Sequence, residues 1–191
     1  MTASDVVVVR FGGRRLPAPL AALTVVGIDD VTAHRRLVVV GSDADLAAVL
    51  TRLLRADRLD VEVAHLKRRW GVRRALSGAA QRVPLIRDET GTVIVGTAEW
   101  TGSPLHGEAV VDDTVLFDGE VAGVRIEPTW SMPGLRAAVL SGRGRPGRWV
   151  AGRAAQLGTT GARVIRDGVP APRTVRRSTF YRHTEGWLRV G

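Results

Sequence analysis

The residues of this chain best placed to do chemistry are Gly41-Ser42-Asp43-Ala44-Asp45, a glycine followed by a hydroxyl and two carboxylates. A second group follows in the next predicted loop, Lys67-Arg68-Arg69-Trp70, continuing through Gly71 and Val72 to Arg73. Cations opposite a glycine turn suit an anionic group. Lys67, Arg68 and Arg69 could hold a phosphate, with Trp70 as a stacking surface for a base; the alternative is a solvated loop over a packed Trp70. Gly41, Ser42 and Asp45 would shape the other side of the site. The two aspartates oppose this use, since each like-charge contact with a phosphate at about 4 Å costs on the order of 4 kcal/mol at an effective dielectric near 20. Mg²⁺ or the basic loop would have to compensate.

Local physics places both groups. Leu37-Val38-Val39-Val40 is a run of four aliphatic residues, three of them β-branched, which suits a strand covered on both faces. Ser42 is a good N-cap with Asp45 three residues on, close to a capping box, and both aspartates favour the positive end of a helix dipole. Leu46, Val49, Leu50, Leu53 and Leu54 then form one apolar helical stripe. A second strand follows at residues 59–64, completing a βαβ unit. A right-handed crossover puts both strand ends on one sheet edge, so the loop after Ala64 is predicted to lie beside the loop after Val40.

Composition sets the class. The chain has 191 residues, 45% hydrophobic and 25% charged, as expected of a packed globular protein of one or two domains. It has no cysteine, which removes disulfides and thiolate metal ligation, and cytoplasmic residence is the expectation. Arg10, Arg14 and Arg15 break up any signal-peptide core, and no stretch approaches the roughly 18 to 20 apolar residues of a membrane helix. The net charge is +9, yet Lys67 is the lone lysine, an arginine bias that reads as GC-rich codon usage. The distribution says more than the total. Acidic residues crowd positions 99–127, whereas from Arg136 onward twelve arginines face only Asp167 and Glu185.

Other chemistries lack their motifs. His34, His65, His106 and His183 are scattered without a His-Glu-x-x-His helix, so no metal site is predicted. No Gly-x-Ser-x-Gly elbow accompanies Ser42, and the Gly-Arg loop at residues 142–148 is not a P-loop. Trp130, Met132 and Pro133 read as core of the β-rich part or as a plug between domains, with a ligand cleft as the alternative.

The pattern predicts an α/β plus β fold: a small parallel βαβ domain over residues 1–84, then a larger, mostly antiparallel β-sandwich-like domain over residues 85–191. Early strands are expected at residues 6–11 and 23–28, joined by a Gly-Gly-Arg-Arg turn and a proline-containing connection, and a short helix at 72–80. Strands in the β-rich part are expected at 93–97, 108–111, 114–117, 121–126, 135–140, 162–166 and 187–190. Asp112-Asp113, Asp118-Gly119-Glu120 and Asp167-Gly168 are turn material.

This order of elements resembles the superfamily of diacylglycerol kinases, sphingosine kinases and NAD kinases. Gly41-Ser42-Asp43-Ala44-Asp45 stands where that family has Gly-Gly-Asp-Gly-Thr, with the family aspartate at Asp43. Arg74-Ala75-Leu76 resembles the helix after the second nucleotide loop, and Asp167-Gly168-Val169 resembles the Asp-Gly-Glu turn near the C-terminus. The resemblance implies a nucleotide domain followed by a β-sandwich, with ATP and Mg²⁺ as cofactors where kinase function is retained. It also implies Asp43 as catalytic base in a phosphotransferase acting on an alcohol, and Asp167 among the binding residues. The departures imply a degenerate, N-terminally shortened relative, non-catalytic or weakly active. The amide-exposing glycines are replaced at Ser42 and Ala44, and the Gly-Thr-x-Asn core of the second loop is lost.

Two functions follow, with a third in reserve. The first is a lipid-kinase-like or NAD-kinase-like protein that binds a nucleotide or phosphorylated lipid head group between Asp43 and the 67–74 loop, in the cleft between the domains. The second is an arginine-rich β domain that binds nucleic acid or an anionic protein partner. A third is a structural interaction protein, in which Asp118, Glu120 and the C-terminal arginines meet across a homo-oligomer contact in the β domain.

Overall fold

The computed structural model describes residues 6–67 and 71–191; Arg68, Arg69 and Trp70 of the predicted site lie outside the described residues. The chain divides into two compact units. One runs up to Val83 and takes in Glu185–Gly191, and the other is Pro84–Thr184.

The first unit is built on a sheet whose central strand is the aliphatic run read from the sequence. Its strands are β1 (Val6–Arg10), β2 (Val25–Val26), β3 (Arg36–Val40), β4 (Glu62–Leu66), β5 (Ala80–Val83) and β15 (Trp187–Val190), in the order β2-β1-β3-β4-β15-β5. All neighbours are parallel except β15 and β5. β3 is buried at every position because helices cover both faces of the sheet. Leu20 of α1 (Ala18–Ala21) and Ala75 of α3 (Val72–Ser77) pack with Val6, Val8, Val38, Val40 and Ala64 on one face. The alternate set, Val7, Val9, Leu37, Val39 and Val63, is buried on the other. The connection from β3 to β4 is α2 (Asp43–Arg55), which buries Leu46, Val49, Leu50 and Leu53 of the predicted stripe together with Ala47, while Leu54 of that stripe is half-buried.

One correction arises here. The predicted strand at 187–190 forms, but in this first sheet and not in the β-rich unit: β15 runs parallel to β4, with Arg189 opposite Val63, and antiparallel to β5. Its pairing spans most of the chain, and no local signal encodes a partner at that separation. Arg36 is only 4% exposed. It donates Nε–H to Glu62 at 2.6 Å and reaches the carbonyls of Leu76 and Gly78 at 2.8 and 3.0 Å, tying β3 to β4 and the end of α3.

The second unit is a nine-stranded antiparallel sheet. Its path begins at β11 (Val150–Gly152), β10 (Leu135–Val139), β9 (Thr114–Pro128) and β8 (Ala98–Val111). It continues through β12 (Ala154–Arg166), β14 (Val175–Arg182), β6 (Ile86–Asp88) and β7 (Val93–Ile94), with β13 (Val169–Pro170) paired to β12. Trp100, Phe180, Leu105, Ile126, Leu135 and Val164 lie in its core. The short strands expected at 108–111, 114–117 and 121–126 merge into the two long strands β8 and β9. Asp118-Gly119-Glu120, read as a turn, lies inside β9, with Glu120 opposite His106 and Asp118 opposite Glu108. Register shifts between Thr101 and Leu105 and between Ala109 and Val110 absorb the irregular residues without ending the strands. Gly107 makes this continuity possible: a Cβ there would strike the carbonyl of Gly158 on β12. The Asp112-Asp113 and Asp167-Gly168 turns form as expected, with Asp112 and Asp167 both at φ 49°.

Candidate functional site

In the first sheet, β1 has β2 on one side and β3 on the other. The chain leaves β1 through α1 towards β2, and leaves β3 through α2 towards β4. The two connections diverge between β1 and β3, which makes this a topological switch point, the place in an open α/β sheet where the carboxyl ends of the strands form a crevice. The Phe11 N–H donates to the Val40 carbonyl at 3.1 Å and joins the two strand ends.

Three loops meet at this edge. The first follows β1 and reads Phe11-Gly12-Gly13-Arg14-Arg15, with φ of 63° and 62° at the two glycines and open space where their Cβ atoms would be. The second is the turn from β3 into α2 and the third follows β4. The predicted proximity of the last two is observed, with Val40 opposite Leu66 in the parallel register. Lys67 lies where all three come together. Its Nζ donates to Asp43 Oδ2 at 2.6 Å, and its carbonyl accepts a 3.5 Å bond from Arg14 Nη1.

The turn at Gly41 closes on itself. Asp45 Oδ2 accepts from the Ser42 N–H at 2.7 Å and from Ser42 Oγ–H at 2.8 Å, while the Asp45 N–H donates to Ser42 Oγ at 3.2 Å. This is a complete capping box. A phosphate at a helix N-terminus is held by free backbone N–H groups; here a carboxylate of the same chain takes the Ser42 N–H, and the Asp45 N–H is used within the box. A Cβ on Gly41 would come within 2.6 Å of Asp45 Oδ2, so glycine is needed here for the chain's own aspartate.

His65, which sequence reasoning had set aside, fills the space beneath. Its Nε2 lies 3.2 Å from the Gly41 carbonyl and its Nδ1 3.9 Å from Asp43 Oδ1. Burial pushes the imidazole below its ordinary pKa, against the Gly41 carbonyl and the Asp43 carboxylate, which act in the opposite direction. The neutral ring then donates Nε2–H to Gly41 and holds the turn.

The structure thus brings together Gly41, Ser42, Asp43, Asp45 and Lys67. Arg73 is exposed on the first turn of α3. Asp167 belongs to the second unit, where its carboxylate accepts from the N–H groups of Val95, Gly96 and Thr97 at 3.0, 2.6 and 3.0 Å and pins the start of β8. Arg14 and Arg15 were missed. The available signal was their position directly after an apolar strand behind two glycines, which had been read as a turn alone. Arg10 and Arg15 also line an open depression of about 910 Å³ with Leu16, Pro17, Ala18 and Val25. Among the described residues no group of three or more His, Asp or Glu side chains is arranged to hold a metal ion.

No protein-family model matches the chain, and no curated protein sequence matches it. Solved structures do. A diacylglycerol kinase from Bacillus anthracis str. Sterne is similar at a TM-score of 0.69 and 11% identity, over 98% of this chain and 96% of that one. An NAD kinase from Archaeoglobus fulgidus, solved with ATP, is similar at 0.64 and 10% identity, over 97% and 93% of the two chains. A yeast NADH kinase, solved with NADH, is similar at 0.59 and 10% identity, over 88% and 66%. The chain shares its fold with these solved diacylglycerol kinase and NAD kinase structures.

Proposed function

We propose that this protein binds a nucleotide or a phosphorylated lipid head group at the carboxyl edge of its first sheet and does not transfer phosphate. The observation that carries the reading is the 2.6 Å Lys67–Asp43 ion pair beside a capping box already closed by Asp45. Phosphoryl transfer needs phosphates fixed by preorganised donors and metal. The residues here do not fit that arrangement, because the Ser42 and Asp45 amides are used within the turn and Asp43 is held by Lys67.

Binding of an anion is a different matter. An ammonium has three N–H donors, and Lys67 is more than half exposed, so it can hold Asp43 and a phosphate oxygen together. Arg14 comes from the neighbouring loop, and Arg10 and Arg15 line the adjoining depression. The ATP and NADH in two structurally similar kinases supply the class of ligand to try first.

The test combines calorimetric titration of ADP, ATP, NAD and phosphatidic acid with a radiometric transfer assay from ATP to diacylglycerol. Saturable binding of one ligand, lost in Lys67→Ala with Arg14→Ala, and no transfer is the expected result. Turnover abolished by Asp43→Asn would overturn the non-catalytic reading, and absence of binding to every ligand would overturn the site.

A further inference from the structure

We propose that the hairpin between β10 and β11, with Arg136 stacked on Trp149 at its base, binds single-stranded nucleic acid. All of these residues belong to the second unit, so the surface uses none of the groups around Lys67. Three features carry it: unopposed arginines, a backbone ordered in advance and a fixed flat surface beside them.

Residues 128–166 hold seven arginines and no carboxylate, so the positive charge here is not diluted as it is along β8 and β9. A codon bias that favours arginine over lysine leaves aspartate and glutamate untouched and does not explain their absence. On β10 and β9, Arg136 pairs with Glu127 and Arg125 with Glu99. Arg143, Arg145 and Arg148 in the hairpin are exposed and have no ion-pair partner among the described residues. At the hairpin's foot the Leu140 N–H donates to the Gly123 carbonyl at 2.8 Å, and the first unpaired carboxylate past that point on β9 is Glu120, which bounds the surface on that side.

The loop that carries these arginines is tightly bonded. The Ser141 N–H donates to the Arg145 carbonyl at 2.9 Å, the Gly144 N–H to the Ser141 carbonyl at 2.8 Å and the Gly147 N–H to the Val139 carbonyl at 2.9 Å. Ser141 Oγ accepts from the Arg145 N–H at 3.2 Å, and Leu140 bridges to Pro146. A loop held in this way loses little backbone entropy when it binds. A Cβ on Gly142 or Gly144 would meet nothing within 4 Å, so a phosphate has room against the backbone on either side of Arg143.

Trp149 selects among polyanions. The Arg136 guanidinium carbon lies 4.2 Å from the Trp149 ring centroid, while Nε–H and Nη2–H donate to Glu127 at 3.0 and 2.6 Å. The guanidinium plane is therefore fixed, and with the side chain 45% exposed its face away from the indole is open. Guanidinium planes and aromatic rings are surfaces on which unstacked bases lie. In a duplex both faces of each base are already covered, and the carboxylates of an acidic peptide have no use for a flat surface. A single strand uses both parts, its phosphates at Arg143, Arg145 and Arg148 and a base over Arg136 and Trp149.

Fluorescence anisotropy of a labelled strand of about 12 uridines titrated with the full chain tests it. Three phosphate contacts give a slope of log affinity on log salt of about −2, so binding should weaken roughly 100-fold between ~50 mM and ~500 mM salt. Arg143→Gln, Arg145→Gln and Arg148→Gln together should remove most of that slope. Replacing Arg173, Arg176 and Arg177 by Gln, three exposed arginines of the same unit, removes equal charge and should keep affinity within ~3-fold of wild type. Trp149→Leu should weaken binding at least ~5-fold with the salt slope unchanged, because stacking releases no counterions. Should that variant fail to fold, a strand of the same length without bases makes the same test on the wild type and should bind at least ~5-fold more weakly. No binding at ~50 mM salt, equal losses in the two triple variants, or equal affinity for the strand without bases would each overturn the proposal. Binding of phosphatidylglycerol vesicles but not of the strand would assign the arginines to a membrane surface and overturn it as well.

Discussion

Replacing Asp43 by Asn separates a binding site from a catalytic one. In the structure the Asp43 carboxylate lies 2.6 Å from Lys67 Nζ, so a phosphate oxygen held by the same ammonium has a like charge close by. At ~4 Å that repulsion is ~4 kcal/mol at an effective dielectric of ~20 and ~1 kcal/mol in bulk water. With Lys67 56% and Asp43 25% exposed, the value falls between these bounds, and ~2 kcal/mol corresponds to a ~30-fold gain in affinity on substitution. The fold loses little, because an exposed ion pair contributes ~0.2–1 kcal/mol and the charge at the first turn of α2 a similar amount. Calorimetric titration of ADP into both proteins, in chelator and then in Mg²⁺, measures the effect. Unchanged affinity in chelator would show that phosphate does not approach Lys67. Weaker binding confined to Mg²⁺ would make Asp43 a bridge to metal, and either result refutes the charge argument.

Three further outcomes follow from the same structure. Asp167→Ala removes the acceptor of three backbone N–H groups and puts alanine at φ 49°, so urea unfolding should show a loss of ~2–4 kcal/mol, whereas a loss under ~1 kcal/mol would mean water replaces the carboxylate. His65 carries a folded-state pKa below its unfolded value, so the unfolded chain takes up the proton first as pH falls. Its contribution is complete above the unfolded pKa of ~6.5 and is lost on acidification below it; denaturation at a series of pH values should show this loss in wild type and a smaller one in His65→Gln. Arg36→Met should cost ~3–5 kcal/mol by leaving Glu62 without its partner, and much less in a Glu62→Leu background; equal costs in both would remove the pairing as the cause.

The first unit was legible wherever its signals are local. The apolar run at β3, the Ser42 cap with Asp45 and the stripe from Leu46 to Leu53 each lie within a few residues of their partners, and each forms as read. The crossover rule then brought the loop after β4 beside the loop after β3 without further information. In the β-rich unit local signals misled. Asp118-Gly119-Glu120 has turn composition, yet β8 supplies it with strand partners, and β12 holds β8 extended from the other side. Asp167 shows the same limit from the functional side. Its turn was read correctly from Asp-Gly, but the use of its carboxylate depends on the backbone of residues 95–97, seventy positions earlier.

By itself the sequence determined the strand-to-helix turn at Gly41, the chemistry of its side chains and the βαβ unit that presents it, because capping and periodicity act over one or two helical turns. Tertiary structure decided what those side chains do. It turned Asp45 back onto Ser42, set Lys67 against Asp43 and slid His65 beneath Gly41. It also carried β15 across the chain into the first sheet. These are choices among partners that local sequence leaves equally available, and they are settled by which groups the packed sheets bring within hydrogen-bonding distance.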